Sequence, residues 1–209
     1  MGLEYAIIGI VTLDPSQVSA NDAYRLLVTA IVPRPIAFVS TISKNGIYNL
    51  APFSFFNGFC GDPPIVGFSP NNNPPKDSLV NARDTGEFVV NIVSEDIAEQ
   101  MNLTAGRYPP EVDEFQVAKL TAGPCVMVKA PRVMESPISM ECKVTQILEL
   151  SNRPQGNSLV LGQVVYFHVD DAVLDEKGQI DSAKLRAIGR MGGTAYSRTT
   201  DVLHMTRPL

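Results

Sequence analysis

The stretch IAFVSTISKNGIYNLAPFSFF, residues 36–56, holds two runs rich in β-branched and aromatic residues on either side of Lys44-Asn45-Gly46. Asn and Gly both tolerate positive φ, so Asn45-Gly46 between such runs predicts an antiparallel hairpin with strands over 36–43 and 47–56. Immediately downstream, Asp62-Pro63-Pro64 reads as a turn and PIVGFSP (64–70) as a third strand. EFVVNIV (87–93) and the segment 125–129 add shorter strands, and 138–150 and 158–169 add two long ones with near-alternating polarity.

Helices are fewer. SANDAYRLLVT (19–29) has Ser19 or Asn21 as a cap. In residues 74–85 Asn73 is the expected cap, Pro74 suits the first helical position, and Gly86 ends the element. A third helix is expected over 94–104, capped by Ser94, and 104–114 is too polar and proline-rich for regular structure. Strands outnumber helices and follow one another by hairpins. The expected architecture is therefore a single domain over 1–209, mainly β with a few helices, whose antiparallel sheet closes into a barrel.

Composition narrows the function. The chain has 209 residues, 44% hydrophobic and 19% charged, with 17 Lys and Arg against 22 Asp and Glu, a net charge of −5. That balance argues against nucleic acid and against anionic membrane surfaces as partners. No apolar run reaches membrane-spanning length, AIIGIV (6–11) included, and Glu4 stands where a secretory peptide carries basic residues, so a cytoplasmic location is expected. Cys60, Cys125 and Cys142 form no CxxC, and His168 and His204 are the only histidines. No disulfide framework and no metal site is expected from these spacings. GxSxG, P-loop and GxGxxG signatures are absent, which leaves a ligand-binding β protein or a cofactor enzyme.

Two features point to a ligand. The start of the 74–85 helix combines free backbone N–H groups, the positive end of the helix dipole, Lys76 and Ser78, with Arg83 two turns on along the same face. A phosphate fits there; a solvated surface helix is the competing reading. The other feature is LAPFSFFNGFCGDPP (50–64), in which four phenylalanines are interleaved with Ser54, Asn57 and glycine. Core packing explains the rings alone. An amide- and hydroxyl-bearing strand some twenty residues before an anion-binding helix also suits a flat, polar-edged ring with a phosphate tail.

The ordered pieces RPIAFVST (34–41), NLAPFSFFNG (49–58) with DPP (62–64), KDSLVNARDTGEFVVNIVSE (76–95), DEF (113–115), PRVMESPISMECKV (131–144), GQVVYFHVDD (162–171) and RMGGTAY (190–196) resemble the flavin reductase-like family of FMN-binding split barrels. The resemblance spans about residues 31–196. It is strongest for the branch of flavoredoxin and the reductase component of nitrilotriacetate monooxygenase. It implies a six-stranded antiparallel Greek-key split barrel, a homodimer, and FMN near the subunit interface. By the same resemblance Ser40 and Thr41 run along the isoalloxazine, and Asn49, Ala51, Ser54 and Asn57 meet its polar edge and ribityl chain. Lys76 and Ser78 meet the phosphate, with Arg83 in the same block. Gly162 and His168 lie on a strand near the reacting face, and Arg190 lies in a segment that approaches the cofactor. His168 and Arg190 are the catalytic candidates. The implied activity is hydride transfer from NAD(P)H to flavin, in the service of an oxygenase. The alternatives are a flavoredoxin-like electron carrier reduced by a protein partner and a non-catalytic flavin-binding protein.

Overall fold

The computed structural model describes residues 11–208; the reading of Glu4 and of all but the last residue of AIIGIV falls outside them. The hairpin at residues 36–56 forms as expected. β1 (Ala37–Ile42) pairs antiparallel with β2 (Tyr48–Phe53), placing Thr41 opposite Asn49 and Ser40 opposite Leu50. The Ser43 amide donates to the Ile47 carbonyl at 2.9 Å, closing a three-residue loop in which Gly46 takes φ 82°. That left-handed position is open to glycine at little steric cost.

The second run does not stay one strand. Ser54 and Phe55 interrupt it, and β3 (Phe56–Gly61) starts a new hairpin with β4 (Pro64–Phe68) around Asp62-Pro63. The main sheet adds β5 (Glu87–Ile92), β8 (Ile138–Glu149) and β9 (Ser158–Val169), in the order β2-β1-β5-β8-β9-β4-β3, every pairing antiparallel. Among the described residues it thus holds seven hydrogen-bonded strands where six were expected. β2 and β3 are its two edges, yet Phe53 and Phe56 are three residues apart, at most about 11 Å of chain. The Phe53 ring packs on Phe68 of β4 at 5.0 Å and Phe68 on Phe88 of β5 at 5.1 Å. The sheet is therefore rolled, with both edges brought over one core.

That inner core comprises Ala37, Val39, Phe68, Phe88, Val90, Cys142 and Val160, sealed by Leu79 and Ala82 of α2 (Asp77–Thr85). At Gly162 a Cβ would stand 2.5 Å from the Phe88 ring, so glycine there makes room for a core aromatic. The outer face of β1 and β2 carries Phe38 and Leu50. They pack with Val93, Ile97, Met101, Phe115 and Ile188 under α3 (Ala98–Leu103) and α4 (Glu114–Ala118). α1 (Ala20–Ala30) precedes the sheet, capped by the Ser19 hydroxyl, which accepts the Asp22 amide. The short pairs β6 (Ala122–Gly123) with β7 (Arg132–Val133) and β10 (Ile188–Arg190) with β11 (Tyr196–Arg198), and α5 (Ser182–Leu185), complete the fold.

Three local expectations are corrected. α2 begins at Asp77 rather than Pro74: Lys76 occupies the cap position without a side-chain cap bond, and the Asn73 amide nitrogen donates to the Asn152 carbonyl instead. The helix at 94–104 is divided, a 3₁₀ turn at Glu95–Ile97 leading into α3, with no side-chain cap from Ser94. Residues 125–129 form no strand. Their amides are taken by buried carboxylates: Val126, Met127 and Val128 donate to Glu141 at 2.7, 2.6 and 3.0 Å, and Lys129 and Ala130 to Glu87 at 2.5 and 3.1 Å. Side-chain oxygens of β5 and β8 here do what a neighbouring strand's carbonyls would.

Candidate functional site

A cleft of about 510 Å³ opens where α1, the end of β2, α3 and the 190–196 segment meet. Its cations are Arg25, Arg34 and Arg190, its aromatic walls are Tyr24 and Tyr196, and Ser54 also lines it; among the described residues no carboxylate does. Arg34 is 6% exposed and ties the parts together. Its Nη1 donates to the carbonyls of Val28 and, at 2.9 Å, Ile31; Nη2 donates to the Met191 carbonyl at 3.1 Å; Nε donates to Ser54 Oγ at 3.3 Å. Burial, and then the neighbouring Arg190, push its guanidinium below the ordinary value. Arg190 is joined to Arg34 by two backbone hydrogen bonds, donates to the Gly193 carbonyl, and stacks 4.5 Å from the Tyr196 ring centre. On a chain of net charge −5 this is a local positive well.

Ser54 and Arg190, expected from stretches some 136 residues apart, thus line one cleft. Its volume falls within the usual range of small-molecule sites. Guanidinium and hydroxyl donors between two tyrosines suit an aromatic, anionic ligand.

Four other expected residues form buried hydrogen bonds instead of lining an opening. Thr41 Oγ1 accepts Asn81 Nδ2 at 3.0 Å, and Asn49 Nδ2 donates to Ser78 Oγ at 2.8 Å. Thr41 and Asn49 are cross-strand neighbours, and Ser78 and Asn81 share one face of α2, so the two bonds dock the helix on the hairpin. On the opposite sheet face, Ser40 Oγ donates to the Pro131 carbonyl at 2.5 Å and accepts from Asn91, whose amide oxygen receives Ser139 Oγ and the Val133 amide. Ala51 is half-buried in β2. Asn57 is exposed on the edge strand β3, its side chain accepting the Gly58 amide. Lys76 and Arg83 are exposed on α2. Acids lie close to the helix start. Burial raises the Asp77 carboxyl, against which Lys76 acts, and burial likewise raises that of Glu114.

Residues 29–185 match the flavin reductase like domain. A protein of Aquifex aeolicus (strain VF5) is 42% identical over 183 residues, which cover 86% of this chain and 91% of that one. The chain belongs to the flavin reductase-like family. Among solved structures, nitrilotriacetate monooxygenase component B from Bacillus cereus superposes with a TM-score of 0.90 at 33% identity, covering 94% of this chain and 99% of that one. The Pseudomonas fluorescens 2-nitrobenzoate 2-nitroreductase NbaA does so with 0.86 at 32% identity, covering 94% and 96%.

Within this flavin reductase-like fold, His168 lies apart from the residues lining the cleft. Its Nε2 hydrogen-bonds Glu141 Oε1 at 2.7 Å, and its ring tilts against Tyr166 at 5.1 Å. Burial pushes the Glu141 carboxyl up, but the three amides at 126–128 and the His168 ring outweigh it and hold the group below the ordinary range. Tyr24, Arg25, Arg34 (the first residue of RPIAFVST) and Tyr196 line the cleft without being among the residues expected there. Basic and aromatic residues on an amphipathic helix beside Arg34-Pro35 are the available signal. Nothing in the spacing of 24, 34, 54 and 190 announces that they converge.

Proposed function

We propose that this chain binds FMN and catalyses hydride transfer to it from NAD(P)H, as the flavin reductase partner of an oxygenase. The observation that carries the proposal is the cleft in which Ser54 and Arg190 meet Arg25 and Arg34, with no carboxylate lining it among the described residues. FMN, when bound, supplies the hydride-accepting ring. The chain supplies orientation and charge. Arg190, already held by Gly193 and Tyr196, stabilises negative charge on the ring's carbonyl edge, and Ser54 hydrogen-bonds that edge. Lys76 and Arg83 take the phosphate. Asn49, whose amide holds Ser78 of α2, stands five residues along the extended segment from Ser54, about 17 Å, so the Thr41–Asn81 and Asn49–Ser78 bonds set the distance between the two ends of the site.

The protein acts, on this reading, as a cytoplasmic homodimer. Exposed Tyr24 and Leu27 on α1, Ile31 just after it, and Tyr166, Phe167 and Val169 on β9 are the apolar surfaces that support a second copy. A second reading, favoured by the 32% identity to NbaA, has the reduced flavin kept and its electrons passed to a nitroaromatic.

Anaerobic stopped-flow mixing of FMN-loaded protein with NADH and NADPH tests the proposal. Rapid bleaching of the flavin with either donor is expected. Absence of bleaching with both would overturn hydride transfer and leave a protein-fed carrier. Reoxidation of the bleached protein by 2-nitrobenzoate without oxygen would favour the second reading.

A further inference from the structure

The polar cluster under the 125–128 segment lies outside the lining of the cleft. Cys125 arrives from the loop before β7, Glu141 from β8 and His168 from β9, and their ligand atoms all lie within 4.8 Å of one another. We infer that Cys125 Sγ, Glu141 Oε1 and His168 Nε2 form a binding site for one zinc-like divalent metal ion, with a fourth position open to water.

The geometry is close to what such an ion requires. Bonds of 2.0–2.3 Å in a tetrahedron place ligand atoms about 3.5 Å apart, so side-chain adjustments of an ångström or so close the site. Outer-layer support is already in place. Glu141 is fully buried, and its Oε2 is fixed by the Met127 and Val128 amides, its Oε1 by the Val126 amide and the His168 ring. Metal entry replaces the imidazole bond on Oε1 and the thiol's hydrogen bond to the carboxylate, and the three amides go on orienting Glu141 as second-layer partners do in established sites. The His168 side chain is 19% exposed, which gives an entry path from solvent.

The ion displaces the Cys125 thiol proton to solvent, and the proton that His168 Nε2 donates to Glu141 Oε1 leaves Nε2 by way of solvent, so that the bound ring carries one proton, on Nδ1. Thiolate and carboxylate then balance the two positive charges of the metal. Because binding releases the thiol proton, metal uptake strengthens as pH rises. Spacing along the chain hides the site because each ligand comes from a different element.

The test is a Co²⁺ titration of the tag-free full chain after chelator treatment, followed by absorption. One equivalent with a thiolate-to-cobalt charge-transfer band is expected, bleached by added Zn²⁺, lost in Cys125→Ser and kept in Cys60→Ser, whose thiol is exposed elsewhere. No charge-transfer band in the wild type would overturn the inference, and so would a band that survives in Cys125→Ser. The wild-type arm decides even if a variant folds poorly. Flavin binding is not read in the assay, so its outcome is separate from that of the proposed reductase activity.

Discussion

Glu114 accepts the Leu50 amide at 3.0 Å on the edge of β2, in a place where burial and the nearby Asp77 raise its carboxyl. A carboxyl raised by folding binds its proton more tightly in the native than in the unfolded chain, so its contribution to stability is present in acid and lost as pH rises through the raised value. Glu114→Gln keeps an oxygen for Leu50 and removes the titration. The variant is expected to gain stability relative to the wild type as pH climbs from below the ordinary 4.5 towards neutrality, read as urea midpoints across that range. A difference that stays constant, or runs the other way, contradicts the assignment. The same residue shows why a sequence leaves side-chain roles open. DEF (113–115) was quotable as a family piece, but only the fold brings Glu114 to Leu50, 64 positions earlier.

Among the elements, those with local determinants were legible. Asn45-Gly46 set the first hairpin, Ser19 capped α1, Gly86 ended α2 in the left-handed conformation, and alternation marked β8 and β9. Elements fixed by distant partners were not. CVMVK reads as a strand because it is apolar and β-branched, but its amides belong to Glu141 and Glu87, and neither glutamate looks unusual in sequence. Likewise Ser54-Phe55 breaks a run that periodicity carries straight through, because the chain there crosses from one sheet edge to the other. Replacing Glu141 with Gln puts an amide group against three N–H donors and the histidine. A loss of about 2–5 kcal/mol in urea unfolding is expected, with faster hydrogen exchange at Val126–Val128 than at the β5 amides. An unchanged midpoint would mean that the 125–130 segment is held by its apolar contacts alone.

For the whole molecule, the rolled sheet puts the expected residues in different places. Ser54 and Arg190 line the cationic cleft, Lys76 and Arg83 stand on α2, Ser40, Thr41, Asn49 and Ser78 are buried in the bonds that hold these parts together, and His168 belongs to Glu141. Residue types in the flavin block were legible in sequence. Which of them touch a ligand and which hold the frame depends on strand faces and on α2 packing, and no spacing encodes that. Recognition of a flavin with a phosphate tail is the property on which the proposed function rests. Its most direct test is an equilibrium titration of the full-length protein with FMN and with riboflavin, followed by flavin fluorescence. Saturation at one FMN per chain is predicted, with affinity at least about tenfold above riboflavin's, as a charge-assisted phosphate contact worth about 1.5–3 kcal/mol requires. Equal affinities, or no saturable binding of either, would contradict it.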